Sequence, residues 1–252
     1  MNTLAVKELL YKMADDSLIM GHRNSEWTGI GPMLEEDLAF SSMAQDKIGH
    51  ALALYKILHE ILGEDAPDKI AFLREETQFK CCQLVELPIG EYDFSAVRHF
   101  LFDHAEALRY EMLAQSSFIQ LAQLAKKIKG EIKYHTMHAD LFLKQLAAGN
   151  EESKARMQSA LNYALPYALA IFENGEYEKQ LIAEGIFAGE QELKNRWLEK
   201  ITPIIISAGL KMPKVDDSKI KLGGRKGRHS EHLKVLLDEM CEVVRTEPEA
   251  EW

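Results

Sequence analysis

An all-α fold is the class this sequence predicts, and three observations carry it. Apolar residues recur at helical spacing over stretches of roughly twenty to thirty positions. No Asn-Gly or Asp-Gly pair lies between alternating runs, so hairpin signals are missing. Gly, Pro and Ser punctuate the chain where helical stretches stop.

The first predicted helix runs from about Asn2 to Gly21, with an amphipathic start rather than the apolar block of a signal peptide. The second covers about Met33 to Leu62 and is stopped by Gly63 and Pro67. A shorter third spans Asp68 to about Cys82, with Cys81 and Cys82 as buried helix filling. Val85 to Asp93, containing Pro88 and Gly90, reads as a crossover loop. A fourth helix begins near Ser95 as its N-cap, and a break at Ser116–Ser117 separates it from a fifth that ends at Gly149–Asn150. Glu151 to Phe172 follows, with a bend expected at Pro166, and then Glu190 to Ala208. A basic loop, Lys219 to Arg228, leads into a last helix from Ser230 to about Arg245. Thr246 to Trp252 is a loose acidic tail.

The long helices therefore come as two pairs, 2–21 with 33–62 and 95–115 with 118–147, joined by a longer connection. Such an order builds ferritin-like four-helix bundles. The expectation is one domain over 1–252: a core bundle at about 2–147, additional helices at about 151–245, and the tail 246–252. No linker is rich enough in Gly, Pro or Ser to divide it.

Each of the four bundle helices places a polar residue in its apolar stripe. Lys47, with His50, falls among Phe40, Met43, Ala44, Ala51, Leu54 and Leu58. His135 falls among Leu121, Leu124, Ile128, Ile132, Ala139, Phe142 and Leu146. Asp103 lies among Ala96, Phe100, Ala107, Tyr110 and Ala114, and Asp16 with Ser17 flanks Val6, Leu9, Met13 and Met20. Burying an unpaired charge costs far more than one apolar contact returns. The four groups are therefore expected to meet partners, and to meet one another.

Composition narrows the function. Apolar residues make up 46% and charged residues 28% of 252, which is ordinary for a globular chain. A net charge of −10 disfavours binding to nucleic acid or to an anionic membrane. No apolar run approaches the roughly 20 residues of a membrane helix. Three cysteines, two of them adjacent, form neither a disulfide framework nor a zinc pattern, and a reduced cytoplasmic setting fits them.

Di-iron carboxylate bundles place a Glu on two helices and Glu-x-x-His on the other two. Here the second helix reads Lys47-Ile48-Gly49-His50, with an ammonium where the carboxylate should stand. The fifth reads Ile132-Lys133-Tyr134-His135, with isoleucine in that place, while Ser17 occupies the first-helix position and Asp103 remains on the fourth. Lys47 would repel a cation by roughly 4 kcal/mol at about 4 Å and an effective dielectric near 20. It is expected to pair with Asp16, Asp103 or Glu131 in place of metal, or else to run its stem out to solvent. A register shifted by one residue, using Asp46-x-x-x-His50 and Glu131-x-x-x-His135, is the remaining route to a metal, though both acids lie at stripe edges.

This frame resembles the bacterial ring 1,2-phenylacetyl-CoA epoxidases. Gln45 through His50 and Glu131 through His135 look like the Gln-Asp-Glu-Ala-Gly-His and Glu-Glu-Ser-Phe-His segments of their catalytic A subunits. Ser25-Glu26-Trp27, Arg74 through Phe79, Leu84-Val85-Glu86 with Pro88 and Gly90, and Gly223 through Leu233 are similar to the non-catalytic C subunits of the same complex. The resemblance implies a structural, accessory subunit in aerobic phenylacetate catabolism that supports the di-iron A subunit. It implies no cofactor in this chain, with iron in the catalytic partner, and leaves a homodimer open when the chain is alone. From the residues, the competing readings are an independent metal-binding ferritin-like oxidoreductase and a homodimeric scaffold.

The basic loop with Lys219, Lys221, Arg225, Lys226 and Arg228 is the densest positive patch. It is read as a solvated loop, with Ser230 capping the last helix, or as a contact for a partner or for coenzyme A phosphates through Arg225, Lys226 and Arg228. Trp27 is read as a packing anchor.

Overall fold

The computed structural model describes residues 1–247. They form helices α1 (Thr3–Ser25), α2 (Leu34–Leu62), α3 (Pro67–Phe72), α4 (Gln83–Glu86), α5 (Tyr92–Leu113), α6 (Ile119–Ala147), α7 (Glu151–Ala168), α8 (Glu178–Ala183), α9 (Glu190–Ser207), α10 (Glu231–Met240) and α11 (Glu242–Thr246). No strand occurs among the described residues. The fold class is all-α, and α1, α2, α5 and α6 follow the order of a ferritin-like chain, two long pairs divided by a longer connection.

The chain divides into two compact units. Unit 1 comprises Met1–Ala5 and Ile89–Leu222, and unit 2 comprises Val6–Pro88 with the segment from Gly223 onward. The chain passes from one unit to the other inside α1, at Ala5–Val6, and again at Pro88–Ile89 and Leu222–Gly223, so no linker-like composition marks the division.

In unit 1, α5 packs along α6 and against α7 and α9. It is buried on nearly every side, so its sequence cannot show a polar face. Tyr92 meets Phe142 of α6 edge-on at 6.2 Å, and Phe94 meets Tyr163 of α7 at 5.6 Å. The indole of Trp197, fully enclosed, donates to the Leu101 carbonyl at 2.9 Å and ties α9 to α5. The chain runs through Pro166 to Ala168 and tightens into a 3₁₀ turn at Leu169–Phe172. The Pro166 carbonyl accepts the Lys221 N–H at 3.2 Å.

In unit 2, α1 passes close to α2 at Gly21. A Cβ there would lie 2.8 Å from the Ile48 side chain and 3.2 Å from the Ala44 carbonyl. Trp27 is buried against Phe40 with ring centroids 5.9 Å apart. α2 ends at Gly63, whose φ of 73° lets its N–H return to His59 and closes the helix as its sequence predicts.

Other boundaries moved. α1 continues past Gly21 to Ser25, and residues 12–21 are buried all round. The predicted third helix is only Pro67–Phe72; after a 3₁₀ turn at Glu76–Gln78 the chain is extended, so Cys81 and Cys82 are buried but not helical. The crossover holds the four-residue α4 at its start. α5 begins at Tyr92, because Ser95 directs its hydroxyl back to the Ile89 carbonyl at 2.8 Å instead of capping. Thr246 closes α11, and 248–252 of the predicted tail lie outside the described residues.

Candidate functional site

Unit 2 contains a buried polar clasp built by α1, the stretch 77–86 and the basic loop. α1 places Asp16 inside, 5% exposed. Arg225 meets it with a two-pronged bridge, Nη1 to Oδ1 and Nη2 to Oδ2, both 2.7 Å. Arg225 Nη1 also donates to the Lys80 carbonyl at 2.8 Å, and Asp16 Oδ1 accepts the Cys82 N–H at 2.8 Å. The loop can lie this close only because of its glycines. A Cβ on Gly224 would fall 2.2 Å from the Cys81 carbonyl oxygen, and one on Gly227, at φ 73°, 2.2 Å from that of Thr77.

Glu86, fully buried on α4, is the second anchor. Its Oε1 faces His229 Nδ1 at 2.7 Å, and its Oε2 accepts from the Ser230 N–H at 2.7 Å and the Ser230 hydroxyl at 2.6 Å. Ser230 therefore spends its side chain on Glu86 rather than on capping α10. His229 Nε2 donates to the Phe79 carbonyl at 3.0 Å, so a proton is shared between Nδ1 and Glu86. Arg23 donates to the Glu86 carbonyl at 3.1 and 2.7 Å and to Glu26 at 2.6 Å.

Beside this clasp, Asp15 receives Arg74 at 2.5 Å, the Tyr55 hydroxyl at 2.6 Å and the Lys80 N–H at 2.6 Å. The Arg74 guanidinium lies 4.1 Å over the Phe79 ring and 5.1 Å from that of Tyr11. Burial pushes the Tyr55 hydroxyl well above its ordinary range, so it stays a donor.

Cys81 Sγ, Glu86 and His229 offer donor atoms within 4.8 Å of one another, the geometry a small metal site would need. Their chemistry fits a metal poorly. Burial, then the neighbouring carboxylates of Glu86, Asp15 and Asp16, raise the Cys81 thiol well above its ordinary range and oppose the thiolate a soft cation requires. Glu86 and His229 are already engaged by Ser230 and Phe79.

Unit 1 holds its own buried polar set. His99 Nδ1 meets Asp103 at 2.9 Å one turn along α5, both buried. His104 Nε2 meets Asp140 of α6 at 2.8 Å. Arg109 bridges Glu190 at the start of α9 with contacts of 2.5 and 3.0 Å.

The sequence-predicted positions are enclosed as their stripes require. Ser17, Lys47, Asp103, Ile132 and His135 are fully buried, Asp16 and His50 nearly so, and Glu131 is intermediate. Lys47 thus does not run out to solvent. Neither its ammonium nor the alkyl chain of Ile132 offers an oxygen donor to a hard cation, so these two positions do not fit iron. In the basic loop, Arg225 turns inward to Asp16, whereas Lys226 and Arg228 are exposed.

Sequence reasoning missed Asp15, His99, Arg109 and Glu190, and it singled out Arg23 and Arg74 without their buried partners Glu86 and Asp15. Only the His99–Asp103 spacing of four carried a readable signal. The others are answered by loops or by helices far along the chain.

Comparison with known proteins identifies the family of this chain. A family model described as "Phenylacetic acid catabolic protein" matches residues 1–252. The chain is 31% identical over 252 residues to the C subunit of the 1,2-phenylacetyl-CoA epoxidase of Escherichia coli (strain K12), covering 100% of both. It is 25% identical over 199 residues to the A subunit of the same epoxidase, covering 75% of this chain and 62% of that one. With the whole length matched, the chain belongs to the phenylacetic acid catabolic protein family.

Proposed function

We propose that this chain is the accessory, non-catalytic subunit of an oxygenase complex that converts phenylacetyl-CoA to its ring 1,2-epoxide. One observation carries the reading: full-length similarity to an epoxidase C subunit, in a chain whose Lys47 and Ile132 replace the two carboxylates of the Glu-x-x-His frames. Both replacements are buried, so they are built into the structure rather than tolerated at its surface. The chain then holds no cofactor of its own, and iron resides in a catalytic partner that resembles the A subunit.

Its contribution is a stiff helical surface. The clasp fixes α1 against the stretch 77–86, and α2 carries exposed apolar side chains at Leu34, Leu38, Ile48 and Leu52 that suit a protein neighbour. A stable interface of this kind buries more than about 1,000 Å². No helix among the described residues is long and apolar enough to cross a membrane. The free, buried Cys81, Cys82 and Cys241 suit a reducing cytoplasm.

The test is co-expression with a candidate catalytic chain, followed by oxygen-dependent consumption of phenylacetyl-CoA and metal analysis of each chain. The expected result is a co-purifying pair with iron in the other chain and activity that falls when this chain is withheld. Full activity without this chain, or iron in this chain alone, overturns the reading.

A further inference from the structure

We infer that unit 1 carries a binding cleft for an organic phosphate, of the kind presented by the adenosine-phosphate end of coenzyme A. The cleft lies among α5, α6 and α9 and has a volume of about 580 Å³. Lys129 and Lys133 enter it from α6, one turn apart, and Lys200 enters from α9. All three are exposed, and none is paired with a carboxylate of the described residues.

Like charges four residues apart on a helix repel. A third ammonium beside them, in a chain of net charge −10, makes a positive concavity on an acidic protein. The lining also holds two acids, Glu111 and Asp140, the latter facing His104 Nε2 at 2.8 Å, so the ammonium groups outnumber the carboxylates. Leu108 and Met137 add an apolar wall, and Met137 stands 61% exposed.

The volume falls in the range of small-molecule sites, roughly 300–1,000 Å³, and exceeds what a bare phosphate fills. Ammonium groups suit phosphate oxygens, and an apolar wall with a polarisable thioether suits a flat heterocycle. The inference rests on the reading above, in which the complex handles a coenzyme A thioester, and it lets this chain grip the carrier end of that molecule directly.

The experiment is titration calorimetry of the full chain with coenzyme A, ATP, inorganic phosphate and pantetheine. Saturable binding of coenzyme A or ATP is expected, and the tighter of the two names the source of the phosphate. Pantetheine, which has no phosphate, should not bind, and affinity should fall several-fold as salt rises past roughly 0.15 M. Lys129→Gln with Lys133→Gln should weaken binding about tenfold, and Lys200→Gln severalfold. Lys56→Gln with Lys69→Gln, exposed on α2 and α3 of unit 2, should leave it unchanged. All five side chains are exposed, so circular dichroism should show an intact fold in each variant. No saturable binding of either nucleotide, equal binding of pantetheine or of inorganic phosphate, or undiminished affinity in the Lys129/Lys133 variant overturns the inference. Failure here would leave capture of the catalytic chain in co-expression intact, whereas failure of the partner reading would remove that capture and leave cleft binding in place.

Discussion

Asp16 and Asp103 are both buried acids on long helices, yet their partners lie at very different distances along the chain. Asp103 in unit 1 meets His99 one turn away, a separation of 4 residues. Asp16 in unit 2 meets Arg225, a separation of 209. The difference extends beyond this pair. His104 finds Asp140 on the next helix, 36 residues on, while Glu86 waits 143 residues for His229. Unit 1 answers its buried charges mostly from neighbouring helices. Unit 2 answers Asp16 and Glu86 from a loop that glycines let slide under two backbone carbonyls. A charge satisfied within a helix persists while that helix persists, whereas one satisfied by a distant loop depends on the whole unit being closed.

The sharpest way to break this comparison is Arg225→Met. It strands Asp16 inside unit 2 and should cost about 3–5 kcal/mol in urea unfolding. Asp16→Leu combined with Arg225→Met should recover most of that, because no lone charge is then left buried. A midpoint unmoved by Arg225→Met would show that the clasp is not what holds the loop.

Alkaline pH probes the same unit. Burial, then carboxylates led by Glu86 for Cys81 and by Asp16 for Cys82, hold both thiols above their ordinary range. The folded chain therefore keeps protons that the unfolded chain releases near pH 8.5. Stability should be complete below that pH and fall above it, by up to about 1.4 kcal/mol per pH unit for each thiol. On the acid side, His22 is held below its ordinary range by burial and then by Arg23, so its contribution is present above about pH 6.5 and is lost as pH falls further. Chemical unfolding across pH 5–10 should trace both limbs, and Cys81→Ser with Cys82→Ser should flatten only the alkaline one.

Gly224→Ala tests how closely the loop must pass the stretch 77–86. The added methyl has no room before the Cys81 carbonyl, and the loss should be about 1–3 kcal/mol by thermal melting. In unit 1, Asp103→Asn keeps the shape and removes the charge that faces His99. A loss of about 1–2 kcal/mol is expected, smaller than for Arg225→Met because the partner stays within the same helix. The smallest effect, and of opposite sign, belongs to Gly49→Ala and Gly130→Ala. Both glycines sit inside long helices with open space around them, so each change should stabilise its unit by about 0.5–1 kcal/mol.

The same contrast explains what could be read in advance. The long helices were legible because α2 and α6, at 29 residues each, repeat their period often enough to be counted. The stripes also located Lys47, Asp103 and His135 inside, since burial follows helical phase. α4 and α8, of 4 and 6 residues, complete too few turns to show a period. α1 was read as amphipathic although Lys12, Asp15 and Asp16 are all buried, because a helix enclosed on every side hides its polar residues by pairing rather than by facing water. The basic loop read as a positive patch for a phosphate or a partner. Its central guanidinium has an internal counter-ion instead, and nothing in the local sequence joins Arg225 to an aspartate at the other end of the chain.

That long reach sets an order of events during synthesis. Asp16 leaves the ribosome near the start of translation and its guanidinium near the end. At about 5–20 residues per second the carboxylate spends roughly 10–40 s without its counter-ion. Unit 1 is completed at Leu222, only just before Arg225 emerges, so neither unit has its full chain until translation is nearly over. Unit 2 remains ajar until the ribosome is nearly finished, and during that window a nascent-chain chaperone would find its α1 and α2 accessible.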